Sequence, residues 1–154
     1  MKQVFKVLLA FLAVTLCMEV GVIAAAPTLT NPQVRLWYQE TGRLSGNIAP
    51  PKTINLWNTC IGEGDAQEIA NDVLFTIDIR SSGQRVNTPI TLVATGANGR
   101  AIARRTYSGV LTNERGAATL ALWVPEVGCG GRVVFSAGMG AQSRSVTLDF
   151  NSGE

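Results

Sequence analysis

From Asp72 to Arg80 the chain reads Asp-Val-Leu-Phe-Thr-Ile-Asp-Ile-Arg. Val73, Phe75, Ile77 and Ile79 share one parity; Asp78 and Arg80 fall on the other. Successive side chains of a strand point to opposite faces, so this spacing predicts a half-buried β-strand. The same kind of run returns at Ile90–Thr95, Ala101–Tyr107, Ala117–Val124, Arg132–Ala137 and Ser143–Phe150. In the last of these Val146, Leu148 and Phe150 are expected inward, and Ser145, Thr147 and Asp149 outward. Turn residues punctuate the runs at Ser81-Ser82-Gly83, Gly96-Ala97-Asn98-Gly99 and Asn113-Glu114-Arg115-Gly116. Asn98-Gly99 suits a type I′ hairpin turn. Pro125 stops one run, because proline cannot donate to a ladder, and Gly138 and Gly140 end another. Residues 53–59 read as a first strand. Beyond residue 26 no stretch carries a 3.6-residue apolar stripe. Seven to eight short antiparallel strands of this kind predict an all-β sandwich or barrel.

The first 26 residues have a different grammar. Lys2 and Lys6 precede the apolar run Val7–Leu16, and small residues follow up to Ala26-Pro27. That order describes a secretory signal peptide, residues 1–26. Cleavage is expected after Ala24 or Ala25, since a bond directly before Pro27 is an imide of fixed geometry. An uncleaved anchor is the alternative: Val7–Ala26 is just long enough to span a bilayer, though Glu19 is costly inside it. A lipoprotein anchored through Cys17 is a third fate, with Leu16 larger than the small residue such a site prefers. Residues 27–52 hold Pro27, Pro32, Pro50 and Pro51 around a possible short strand, Val34–Tyr38, and read as a proline-containing lead-in that packs against the domain or links it to an anchor. The sandwich is then expected at 53–150, with a tail at 151–154.

Histidine is absent and charged residues make up 16% of the chain. Without His, Ser–His–Asp and Cys–His catalysis and His-ligated metals are excluded. The net charge is +2, and removing Lys2, Lys6 and Glu19 with the leader leaves +1. Binding a polyanion needs a concentrated positive face, so no nucleic-acid partner is expected. There is no G-x-S-x-G elbow and no marked pair of carboxylates; no catalytic residue is assigned and the chain is read as not an enzyme. Beyond the leader only Cys60 and Cys129 remain. An even pair in an exported chain reads as one disulfide, which places the protein in a secreted or periplasmic compartment.

The run Leu111-Thr112-Asn113-Glu114-Arg115-Gly116-Ala117-Ala118-Thr119-Leu120, with Pro89-Ile90-Thr91-Leu92 before it and the pair Arg132–Ala137 and Ser145–Leu148 after it, resembles a bacterial immunoglobulin-like domain of the invasin/intimin type. The resemblance covers about residues 72–150. It implies an Ig-like β-sandwich with a structural, adhesive or binding role, and it carries over no catalytic residue. That family occurs as tandem repeats, whereas one copy stands here. Antibody-type domains place a Trp shortly after the first bridged cysteine; here Trp57 precedes Cys60 and Trp123 precedes Cys129.

Two clusters are candidates for chemistry. Glu63, Asp65, Glu68 and Asp72 crowd a glycine-bearing stretch, and carboxylates on a flexible loop suit calcium; no other cofactor is expected. A solvated acidic turn is the competing reading. Trp37, Tyr38 and Trp57, with Tyr107 and Trp123 in the same set, would line a sugar- or peptide-binding face if they lay outside the core. Gly128-Cys129-Gly130-Gly131 is expected to permit the bend that brings Cys129 to its partner. Together these features predict an exported, non-enzymatic, Ig-like module with a binding, adhesion or structural role at the bacterial envelope. Its partner would be a protein or glycan, and a membrane only if the leader stays uncleaved. The alternative function is a small secreted inhibitor or ligand-capture protein using loops at one end of the sandwich. A hydrolase using carboxylates alone is a third.

Overall fold

The computed structural model describes residues 25–52 and 54–153. The expected signal peptide therefore lies outside the described residues, except for Ala25 and Ala26.

Among the described residues there are seven long strands: β1 (Thr28–Tyr38), β3 (Asp72–Arg80), β5 (Ile90–Thr95), β6 (Ala101–Tyr107), β8 (Ala117–Val124), β9 (Gly131–Met139) and β10 (Gln142–Phe150). Three two-residue strands accompany them: β2 (Arg43–Leu44), β4 (Arg85–Val86) and β7 (Val110–Leu111). One sheet has the order β2-β1-β3-β8, the other β10-β9-β5-β6, and β4 and β7 form a small ribbon. Every pair is antiparallel. Numbered by long strands, the first, second and fifth lie in one sheet, while the third, sixth and seventh share the other. That is the immunoglobulin-type partition of a β-sandwich, with the fourth strand, β6, on the second sheet.

The alternation read from the sequence is the alternation of burial. Val73, Phe75, Ile77 and Ile79 are buried, as are Ile90, Leu92 and Ala94 on β5. On β10 Val146, Leu148 and Phe150 point inward while Ser145, Thr147 and Asp149 are exposed. Phe75 and Phe135 meet between the sheets with ring centroids 5.7 Å apart. Each such side chain removed from water contributes about 1.5–3 kcal/mol, and this shared layer holds the two sheets face to face.

Four local expectations are corrected. Residues 27–52 are not a lead-in packed outside the domain: β1 pairs with β3 along most of its length, and Leu29, Val34 and Leu36 are fully buried. The strand is masked in the sequence because Asn31 (φ 54°) and Pro32 sit at a bulge between Thr30 and Gln33, which shifts the parity midway. Residues 54–59 are not a strand; a left-handed Asn58 leads into a single 3-10 turn, Thr59–Ile61. Gly138 does not end β9 but lies inside it, opposite Thr91 and Ser143. The β5–β6 turn is not type I′, because Ala97 and Asn98 both keep negative φ and only Gly99 is left-handed, at 75°. Gly99 N–H donates to Gly96 O at 2.9 Å and Gly96 N–H to Arg100 O at 3.0 Å, as in a type I turn closed by a glycine bulge, and a separate register shift beside Ala94 and Thr95 is taken up by Ile102.

Cys60 and Cys129 are joined, with Cα atoms 5.6 Å apart. The bridge links the long β1–β3 connection to the β8–β9 loop at one end of the sandwich, and does not cross the core between the sheets. Around it the loops are tightly fitted. Thr59, fully buried, donates its hydroxyl to Gly128 O at 2.6 Å, and Val127 and Gly128 N–H both donate to Asn71 O.

Candidate binding face

Trp37 lies between Leu36 and Tyr38 on β1, so strand geometry sends it to the opposite side from both. Tyr38 is 8% exposed and belongs to the core. The two neighbouring aromatics therefore cannot form one platform, and Tyr38 is withdrawn from the candidate ligand-binding set.

Trp37 instead faces outward from the first sheet. It is in register with Leu44 on β2 and with Asp72 on β3. Two residues further along, Arg35 aligns with Leu74, and Leu74 with Trp123 on β8. The next row is Gln33, Thr76 and Ala121. Three rows thus grade from apolar and aromatic near the disulfide end to polar further along. The Trp37 and Trp123 rings meet edge to face, 5.4 Å between centroids and 69° between planes. Trp123 is 42% exposed and Leu44 37%.

The indoles are held in place. Trp123 Nε1 donates to Asp72 Oδ2 at 3.1 Å, and Asp72 Oδ1 accepts from Glu126 N–H at 3.1 Å. Glu126, with φ 56°, turns the chain back immediately after β8. Gly42, left-handed in the β1–β2 turn, lies against the six-membered ring of Trp37. Arg35 donates to Gln33 Oε1 at 2.6 Å, which lays the guanidinium along the sheet.

The face does not offer a strand edge. Beyond β1 the segment after β2 takes up the backbone: Ser45 N–H and Ile48 N–H donate to Leu36 O and Val34 O, and Ser45 Oγ and Asn47 Oδ1 accept from Leu36 and Val34 N–H. On the far side, Tyr107 Oη donates to Ala121 O at 2.7 Å and accepts from Ala121 N–H at 3.3 Å. Tyr107, placed in the aromatic set by its sequence, is thus a plug on the edge of β8, with Arg105 stacked over its ring at 4.6 Å.

The remaining candidates lie elsewhere. Trp57 is 44% exposed, yet it packs on the end of the chain: Asn58 N–H donates to Asn151 O, Gly153 N–H donates to Asn58 Oδ1, and Gly153 lies against the indole. Residues 151–153 are therefore fastened to the domain and are not a loose tail. The four acidic residues each have their own donors. Glu63 accepts from Asn58 Nδ2, Asp65 from Asn55 N–H, Glu68 from Thr41 N–H and Oγ1, and Asp72 from Trp123 and Glu126. Glu63, Asp65 and Glu68 satisfy donors of the loops themselves, which have few ladder partners, while Asp72 serves a strand indole and the N–H of Glu126. Among the described residues no three His, Cys, Asp or Glu side chains gather as a metal site. The long connection also encloses an open cavity of about 300 Å³, lined in part by Arg43, Lys52, Asp65 and Glu68.

Trp123 is the residue whose partnership with Trp37 sequence reasoning missed. Its signal was parity: Leu120, Leu122 and Val124 are buried, so Trp123 had to point out. No protein-family model matches the chain, and none of the curated proteins matches it.

Proposed function

We propose that the chain is an exported, non-enzymatic, Ig-like module that binds a partner at the bacterial envelope through its Trp37–Trp123 face. The observation that carries this reading is the pair itself. Two partly exposed indoles stand together on the solvent side of a sheet, in register with Leu44 and Leu74, where their apolar rings are available to a partner. Asp72 and Gly42 hold the rings in one orientation, so the free protein presents a preorganised surface at low entropic cost. The Cys60–Cys129 bridge is compatible with an oxidising compartment. The resemblance to invasin/intimin-type domains points the same way, toward adhesion or binding.

The test is co-sedimentation of the purified protein with bacterial envelope fragments. Wild type is expected in the pellet and Trp123→Ala in the supernatant. Equal pelleting of both, or turnover of an envelope glycan by the wild type, would overturn the reading.

A second reading, ligand capture by loops at one end, is favoured by the cavity in the disulfide-stapled connection. It predicts that Lys52→Ala, and not Trp123→Ala, abolishes binding.

A further inference from the structure

The face is small, has its strand edges closed and carries a carboxylate beside its indoles, and these three properties select its occupant. Strands lie about 4.8 Å apart and residues on one face repeat about every 6.6 Å, so the six residues of the two aromatic rows cover roughly 200 Å². A stable second copy of the chain would need roughly 800 Å² per partner. An extended peptide would seek free backbone groups, and the outer side of β1 is covered by Ser45, Asn47 and Ile48 while the hydroxyl of Tyr107 occupies Ala121 on β8. A lipid surface or a purely apolar partner would have to desolvate Asp72, which stands in register beside Trp37.

A ring with one apolar face and a rim of hydroxyls meets all three conditions. We propose that this face binds a glycan built of pyranose rings, with Trp37 and Trp123 stacking on sugar C–H faces. Asp72 accepts sugar hydroxyls: each of its oxygens takes one N–H and has capacity for another donor. Arg35 keeps N–H groups beyond the one given to Gln33 and donates to hydroxyl oxygens in the second row. The polar third row, Gln33 and Thr76, extends the track along the strands, so an oligosaccharide fits better than a single sugar. This assignment rests on the binding reading above and names its ligand class.

The experiment is titration of the purified protein with chitotetraose, cellotetraose and maltotetraose, followed by tryptophan fluorescence and calorimetry. At least one should saturate and shift the emission, while the corresponding monosaccharide binds at least tenfold more weakly. Trp123→Ala and Arg35→Ala should each weaken binding at least tenfold with an unchanged thermal transition, and Trp57→Ala should leave it unaltered. Arg35→Ala serves where loss of an indole perturbs folding. If none of the three saturates, or if both variants bind like wild type, the glycan assignment is wrong. Envelope co-sedimentation that survives protease treatment but is lost on glycan oxidation supports it. Sedimentation that is lost on protease treatment and still depends on Trp123 sinks the glycan and leaves the binding module standing. Sedimentation absent altogether sinks both.

Discussion

Gly128 has room for a hydrogen and little else. A Cβ built there would press into Ala70 O and the backbone and side chain of Asn71, while its own carbonyl receives the buried hydroxyl of Thr59. Gly128→Ala should therefore force the β8–β9 loop off Asn71 and cost at least ~2 kcal/mol, read as a lower urea midpoint at unchanged slope. Thr59→Val keeps the volume and deletes the donor, leaving a buried carbonyl unpaired. It should cost about 1–3 kcal/mol in the same measurement. The glycine cluster beside Cys129 was legible as a bend. Which glycine is indispensable was not, because the obstructing carbonyl belongs to Ala70, far away in the chain. Asp72 makes the same point. Its place in an acidic stretch suggested an ion, yet its register beside Trp37 and its bonds to Trp123 and Glu126 make it the bracket of an aromatic pair.

At the scale of elements, the strands that could be read directly are those whose alternation runs unbroken from end to end. β3, β5 and β8 have the limits that their period-two runs predict; β6 has its predicted limits too, although its burial does not alternate and the extra residue Ile102 shifts its register against β5. β1 was half hidden, since Asn31 and Pro32 introduce a bulge and split one long strand into two short signals. The free edges follow a different logic. β8 ends the first sheet, and an open edge invites pairing with another chain. Tyr107 closes it by reaching from β6 to occupy both the N–H and the C=O of Ala121. Tyr107→Phe should cost about 1–2 kcal/mol, raise amide exchange at Ala121, and increase concentration-dependent association measured by light scattering. A variant that stayed monomeric with Ala121 equally protected would show that the edge is guarded by other means. No periodicity within β6 announces this role, because its target lies on a strand of the opposite sheet.

For the whole molecule, the two layers share one core, and the disulfide ties together two loops that each add residues to it, Leu56 and Ala70 from one and Val127 from the other. Closing a loop of about 70 residues is worth roughly 4 kcal/mol in the chain-entropy account. Cys60→Ala with Cys129→Ala should lose about that much stability in urea, keep a β-type circular dichroism spectrum, and leave the Trp37–Trp123 face able to bind. Loss of the β spectrum instead would show that the bridge organises the sandwich as well as securing its end. Sheet formation, the inward side of β3, β5, β8 and β10, and the pairing of Cys60 with Cys129 were all legible along the chain. Parity and composition are local properties, and an apolar alternating run has one way to hide its apolar side. The folded arrangement was needed to place residues 28–38 inside the sandwich, Trp37 and Trp123 on one surface, and Asp72 apart from the loop carboxylates as the partner of an indole. Those are questions of strand order and register, and they are answered by contacts between segments far apart along the chain.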